Sequence, residues 1–293
     1  MRILGIGEVV WDVFGDDEHL GGAPLHVCIN AARLGHESAI LTGLGRDDRG
    51  ERALAEIEGH GVSTRFVARS DELPTGAALV ELDVAGSPTF TLVRPAAYDT
   101  LDASPAAVDA IAAWAPDWIV FGTLAQSSPS ARHATRAIVL ACPDAARLYD
   151  VNLRRPYPAV ELVADLLGLA TVVKVNEDEA VILADMLGWP QAGQRLFVER
   201  LAASFGVRAA CVTRGGAGSA LLLDGAYVEV PAEPVAVVDT VGAGDAYSTG
   251  LVHGIGAGWP PARVATFAGR LAGIVASRRS GTPDWTADEL GGA

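Results

Sequence analysis

From residue 2 to residue 213 the sequence alternates short, nearly unbroken apolar runs with longer stretches of helical period. The runs fall at 2–9, 38–44, 64–68, 117–121, 147–151, 171–175 and 209–213. A strand apolar on both sides must be covered on both faces, which is the situation of a parallel sheet flanked by helices. The intervening stretches at 24–34, 49–58, 105–114, 129–141, 160–167, 178–187 and 194–205 supply those helices as crossovers. Pro24 in the first turn and Gly35 just past the end frame the first of them. The expectation is an α/β fold with a mainly parallel sheet between two helical layers. The chain has 293 residues, half of them apolar, enough to fill one large core. No internal repeat, low-complexity tract or linker divides it, so residues 1–293 read as one domain.

The rhythm breaks twice. Residues 75–83 and 89–94 flank a turn-like Val84-Ala85-Gly86-Ser87-Pro88 and predict a β-hairpin inserted into the α/β chain. A hairpin alone buries too little surface to be stable, so it must pack on the body or on a partner. It reads as a lid, which could also serve as a homodimer contact, or equally as a pair of edge strands. A second hairpin, 218–223 with 227–230, leads to a β-prone run at 235–238. That run meets Gly242-Ala243-Gly244-Asp245, which opens a helix over 243–256, and a last helix follows at about 261–278.

Charge and composition remove several function classes. A net charge of −14 argues against nucleic acid and against an anionic membrane surface as partners. The three cysteines, Cys28, Cys142 and Cys211, lie far apart and suit buried, reduced thiols. The first residues are interrupted by Glu8 too early for a secretory leader, and acids or prolines break each long apolar stretch. The expectation is a soluble, cytoplasmic protein. Lys174 is the only lysine and no Gly-x4-Gly-Lys-Ser/Thr occurs, which excludes a P-loop. Gly5-Ile6-Gly7 carries Val10 where a dinucleotide fingerprint needs its third glycine. Zinc-type His/Cys spacing and Gly-x-Ser-x-Gly are also missing.

What remains is polar residues where the predicted strands end, the edge at which open α/β sheets bind ligands. Asp12 follows the first strand, Asp150 to Arg154 another, Asn176 to Glu179 a third, and Thr213-Arg214-Gly215-Gly216 a fourth. The Gly242-Ala243-Gly244 turn leaves the N–H groups of a helix's first turn pointing outward, a cradle for phosphate. Asp245 beside that cradle is unexpected, because a carboxylate repels an anion. It could merely offset the helix dipole. Asn176 with Glu179 could be a capping box, and Gly215 and Gly218 simple turn residues. Phosphoryl transfer gives the set one purpose: an anion cradle, a metal on the phosphate oxygens and a base for the acceptor hydroxyl, with Asp245 placed as that base.

Taken together these residues resemble the PfkB/ribokinase family of carbohydrate kinases, and its fructokinase-like members in particular. The resemblance lies in Asp239-Thr240-Val241-Gly242-Ala243-Gly244-Asp245 and in an N-terminal signature. The latter comprises Gly21-Gly22-Ala23-Pro24, Ala31-Ala32-Arg33-Leu34-Gly35 and Gly43-Leu44-Gly45-Arg46-Asp47-Asp48-Arg49-Gly50. The interval 7–12 and the segments 90–99 and 150–154 look like fructokinases.

The resemblance covers essentially the whole chain. It implies a ribokinase-like three-layer α/β/α sandwich with a lid formed by about 9–15 and 75–94. It further implies ATP-dependent phosphorylation of a primary hydroxyl, with Asp245 as base and the amides of Gly242, Ala243, Gly244 and Asp245 as anion hole. Asp12, Gly21, Gly22, His26, Arg94, Asp99, Asn152 and Arg154 would bind the sugar. Asn176, Thr213, Arg214, Gly215, Gly218 and Gly281 would line the nucleotide side. Glu179 would organise magnesium indirectly, and Asp239 and Val241 fall where many members bind potassium. The signature departs from the family at one place: His26 stands where an asparagine usually contacts the sugar. Fructose is the sugar favoured. The alternatives are 2-keto-3-deoxygluconate, another sugar or a nucleoside, for whose base only Phe90 and Tyr98 offer walls. A binding protein without catalysis is the reading from a different class.

Overall fold

The computed structural model describes residues 1–15, 17–82, 88–191 and 193–291. In chain order the elements are β1 (Arg2–Ile6), β2 (Val10–Phe14), β3 (Asp17–Gly21), α1 (Ala23–Arg33), β4 (Glu37–Gly45), α2 (Asp48–Gly59) and β5 (Ser63–Ser70). Then come β6 (Gly76–Leu82), β7 (Pro88–Val93), α3 (Pro105–Trp114), β8 (Trp118–Gly122), α4 (Pro129–Ala141), β9 (Ala146–Asp150) and α5 (Val160–Leu169). The remainder is β10 (Val172–Asn176), α6 (Glu177–Met186), α7 (Gln194–Phe205), β11 (Ala209–Thr213), β12 (Ser219–Leu223), β13 (Ala226–Val230), α8 (Ala243–Gly256) and α9 (Pro261–Ala276).

A nine-stranded sheet runs in the order β13-β12-β11-β10-β9-β8-β1-β4-β5. It is parallel from β11 to β5, with β12 and β13 added antiparallel at one edge. Side chains alternate across it with the strand period of two. In β8, Ile119 and Phe121 enter one core with α3 to α7, while Trp118 and Val120 enter the other with α1, α8 and α9. This is the predicted α/β/α sandwich. A consequence of the same alternation is that Lys174 of β10 shares the face of Val172, toward α8.

A second sheet, in the order β3-β2-β6-β7, gathers the predicted hairpin with two strands. β6 and β7 pair antiparallel, β2 joins β6 in parallel, and β3 folds back on β2. The turn residues Val84 to Ser87 lie outside the described residues. Val9, Trp11 and Leu20 pack this sheet against Leu25, Ile29 and Leu44 of the body. Glu18 ties it further by pairing with Arg49 and Arg52 of α2.

Two expectations are corrected. The apolar run 2–9 is not one strand: β1 stops at Ile6, and after Gly7, at φ 151°, the chain enters the second sheet. The β-branched run 235–238 is not a strand either. It lies across the end of α9, where Val238 and Asp239 donate to the Ala276 carbonyl at 2.9 and 3.2 Å. Val237 remains 63% exposed. The run's backbone bonds go to the end of α9 instead of to either edge strand of the large sheet, β13 or β5.

Candidate functional site

The cradle forms at the N-terminus of α8. Gly242, at φ 77°, is the residue before the helix, and a Cβ there would come within 2.0 Å of the Gly281 carbonyl. Only glycine fits both the left-handed backbone and that approach. No side chain caps this end of the helix; the Ala243 N–H donates to the Thr240 carbonyl at 3.3 Å, and the neighbouring N–H groups of Gly242, Gly244 and Asp245 stay available to an anion. Asp245, in the first turn, aims its carboxylate elsewhere: Oδ2 lies 2.7 Å from Nδ1 of His26. A carboxylate only accepts, so the imidazole donates. The His26 side chain is 5% exposed and that of Asp245 14%. Gly281 closes over the imidazole, since a Cβ there would meet its Cε1 at 2.5 Å.

A buried set of charges lies behind the cradle. Lys174 donates to both oxygens of Asp150 at 3.1 Å, and Ser248 of α8 donates to Asp150 Oδ2 at 2.7 Å. A Cβ at Gly244 would stand 3.0 Å from the Lys174 ammonium, so a positive charge backs the amides of the turn. Burial pushes the Asp150 carboxyl up to about 6, with Lys174 pulling it down. Burial also pulls Lys174 down, but Asp150, Glu179 and Asp245 outweigh it and leave it above its ordinary value. The contact itself, with Nζ at 3.1 Å from both carboxylate oxygens, is that of an ion pair. Neither Lys174 nor Ser248 was among the site residues expected from sequence. The signal was present for Lys174, a lone lysine inside an apolar strand.

Two more carboxyls act on the Asp245–His26 pair, Glu8 through Asp245 and Asp12 through His26. Asp12 of β2 lies over Gly21, where a Cβ would meet its Oδ2 at 2.8 Å, and Gly22 takes φ 126° against the Glu8 carbonyl. Burial raises the Asp12 carboxyl, and His26, His19 and Arg154 oppose the rise. Glu8 is 3% exposed and is raised to about 7 by burial first, with the charge of Asp245 adding to it and Arg154 opposing. Its position in a glycine-rich stretch gave no hint of this role. Asp12, His26, Asp245, Glu8 and the exposed Arg154 thus form one electrostatic group. Asn152 stands at φ 40° in the same loop as Arg154. Arg94 and Asp99 bind each other through two contacts, and Arg94 also reaches Ser127. Tyr98 is fully buried under Arg94, so it offers no wall for a nucleobase. The side chain of Phe90 lies outside the described residues.

The nucleotide-side residues follow β10 and β11. Asn176 and Glu179 form the capping box: Asn176 accepts from the Glu179 N–H at 2.8 Å, and Glu179 accepts from the Asn176 N–H at 2.8 Å. The other Glu179 oxygen accepts from Leu153 N at 2.9 Å, joining the β9 loop to the β10 end. Thr213 bonds the Val175 carbonyl. Arg214 is turned to the second hairpin, where it pairs with Glu229 at 2.9 Å and donates to the Ser219 carbonyl. Gly215 and Gly218 hold left-handed positions at φ 52° and 92°. The Asp239 carboxylate accepts from Val241 N at 3.0 Å and Ser280 N at 3.4 Å, which ties the turn before the cradle to the segment carrying Gly281. Among the described residues no cluster of three or more His, Cys, Asp or Glu forms a metal cage.

These polar groups gather at one end of a ribokinase-like sandwich, the arrangement of an enzyme that moves a phosphoryl group onto an alcohol. The chain belongs to the pfkB family of carbohydrate kinases, whose family model matches residues 6–288. It is 30% identical over 287 residues to a fructokinase of Klebsiella pneumoniae, covering 92% of this chain and 90% of that one. It is 31% identical over 247 residues to an aminoimidazole riboside kinase of Salmonella typhimurium, covering 79% and 72%. An uncharacterized sugar kinase of Pyrococcus horikoshii, solved in complex with ATP, superposes with a TM-score of 0.80 at 25% identity, covering 99% of this chain and 96% of that one. The protein is a phosphotransferase acting on a sugar hydroxyl. No helix among the described residues is long and apolar enough to cross a membrane.

Proposed function

We propose that this kinase transfers the γ-phosphoryl group of ATP to a primary hydroxyl of a small sugar, with fructose as the acceptor, and that Asp245 is the base. The observation that carries the reading is the Asp245 carboxylate in the first turn of an uncapped helix, partly exposed beside the amides of Gly242, Ala243 and Gly244. As the hydroxyl oxygen forms its bond to the γ-phosphorus, its proton passes to Asp245. The bond from that phosphorus to the β–γ bridging oxygen breaks, and ADP leaves with the electron pair. The amides of residues 242–245 meet the charge spread over the γ-phosphoryl oxygens, a favourable use of preorganised dipoles.

Asp12, Gly21, Gly22, Asn152 and Arg154 would bind the acceptor, with Arg94 and Asp99 at the end of β7. Asn176, Thr213, Gly215, Gly218 and Gly281 would line the nucleotide. Magnesium, when bound, neutralises charge on the phosphate oxygens. Both Glu179 oxygens are engaged by amides, so this residue would act on the ion through water rather than directly. Potassium would be held by main-chain oxygens of Asp239 and Val241, because the Asp239 carboxylate already closes the turn.

The aminoimidazole riboside kinase at 31% identity supports a second acceptor, a riboside. The test is ADP release, followed by a coupled assay, with fructose, ribose, 2-keto-3-deoxygluconate and aminoimidazole riboside. Fructose should give the highest kcat/KM, and Asp245→Asn should lower kcat by about 10²–10⁴-fold. Near-full activity in Asp245→Asn would remove the base assignment. Tight binding without turnover of any acceptor would leave a binding protein instead.

A further inference from the structure

The residue that departs from the family signature touches the base itself. His26 lies on α1, 219 residues from Asp245 in sequence, and its Nδ1 meets Asp245 Oδ2 at 2.7 Å. The imidazole is nearly buried, and its backbone is fixed from two sides. The His26 N–H donates to the Gly22 carbonyl at 2.9 Å, and its carbonyl accepts from Asn30 Nδ2 at 3.0 Å. Asn30 is in turn held by the Trp285 indole at 2.9 Å. Gly281 blocks the ring from above. The side chain therefore has little freedom except to hold one oxygen of the carboxylate. Nε2 is buried and makes no hydrogen bond of normal geometry. The neutral tautomer protonated at Nδ1 suits that environment, because an unprotonated Nε2 needs no acceptor.

We propose that His26 is a positioning residue for Asp245: its Nδ1–H pins Oδ2 and leaves Oδ1 for the acceptor hydroxyl, and its charge governs how readily the carboxylate takes the proton. The proposal rests on Asp245 being the base. When the ring is imidazolium, its positive charge holds the carboxylate as an anion and opposes proton uptake. When the ring is neutral, the same bond orients the carboxylate without that opposition. Phosphoryl transfer should then speed up as the imidazolium loses its proton.

The surroundings set where this happens. Burial lowers the affinity of His26 for its second proton, but the hydrogen bond and charge of Asp245, the charge of Asp12 and the Leu20 backbone outweigh it, so the ring titrates above its ordinary 6.5. Of the other charged groups, His60 at the end of α2 interacts with the ring itself, Glu8 after β1 and Lys174 of β10 interact with Asp245, and His19 of β3 and Arg154 after β9 interact with Asp12. The C-terminal segment brings the Gly281 backbone against the ring.

The experiment compares wild type with His26→Asn, an amide that can still donate to Asp245 but does not titrate. Acceptor kcat and KM are measured between about pH 5.5 and 9. Wild-type kcat should rise roughly tenfold through a midpoint above 6.5, and the rise should vanish in His26→Asn with KM changed far less. An unchanged pH profile in His26→Asn, or an effect confined to sugar KM, would overturn the proposal and return His26 to a sugar contact. The pairing is tested without turnover by ¹⁵N NMR of the histidines. His26 should titrate above 6.5 in wild type and at a lower pH in Asp245→Asn, where the hydrogen bond and charge of Asp245 are lost while Asp12 and the Leu20 backbone still act on the ring. A midpoint indifferent to Asp245→Asn would refute the dyad. Absence of kinase activity together with that NMR shift would instead fault the base assignment and not the pairing.

Discussion

Glu8 shows at the scale of one residue what the site asks of its side chains. It interrupts the apolar start of the chain, is almost wholly enclosed, and has Oε2 without a hydrogen-bond partner. Its carboxyl rises to about 7 chiefly through burial, against its own backbone N–H and that of Ala125. The folded chain thus keeps a proton that the unfolded chain releases near 4.5. For a carboxyl with a raised folded value, stability falls as pH climbs from about 4.5 to about 7, and the whole deficit persists above that. The deficit is at most about 3 kcal/mol. Glu8→Gln keeps the shape and loses the charge. It should therefore be more stable than wild type by about 1–3 kcal/mol at pH 8 in urea unfolding, with the gain fading toward pH 5. A variant weaker than wild type at pH 8 would mean that ionised Glu8 has a partner stronger than burial.

At the scale of elements, β10 and α8 meet through charge. The alternation that sends Val172 into the α8 face sends Lys174 there too, and Asp150 and Ser248 receive it. Removing one member of a buried pair strands the other. Lys174→Met should cost about 3–5 kcal/mol in chemical denaturation, and Asp150→Asn in the same chain should restore part of the loss. A cost below about 1 kcal/mol would show that water reaches Asp150. The same elements show how far the sequence could be read. Apolar runs and caps located the parallel strands, α8 and the Asn176–Glu179 box, because those signals are local. The strand β3, rich in charge, was missed because its stability comes from pairing with β2 and from the Glu18 contacts to α2. The valines at 235–238 misled for the opposite reason: their β preference is real, but the segment bonds the end of α9 instead of a strand. His26 could be recognised as a departure from the signature, whereas its bond to Asp245 depends on how α1 and α8 are packed together.

The whole molecule divides the chemistry between two sheets. The large sheet ends in the fixed parts: Asp150, Asn176 and Thr213 at strand ends, with the α8 cradle backed by Lys174. The small sheet carries Asp12 and Gly21, and β7 leads directly to Arg94. Groups proposed for the acceptor thus ride on a different sheet from groups proposed for the phosphate. Its β2–β3 side is anchored by Trp11 and Glu18, but β7 is the edge strand on the opposite side, and Leu79 and Val93 of the β6–β7 pair stay exposed. Edge strands with few buried contacts open most readily. As a lid, the β6–β7 pair would settle over a bound acceptor and exclude the water that would otherwise compete for the γ-phosphoryl group. Amide hydrogen exchange over residues 76–82 and 88–93 should therefore slow severalfold when the acceptor sugar is added, and by much less with ATP alone, while β8 to β11 hardly change. Exchange in the β6–β7 pair that ignores the sugar would make the small sheet a fixed wall of the cleft, with access to Asp245 controlled elsewhere.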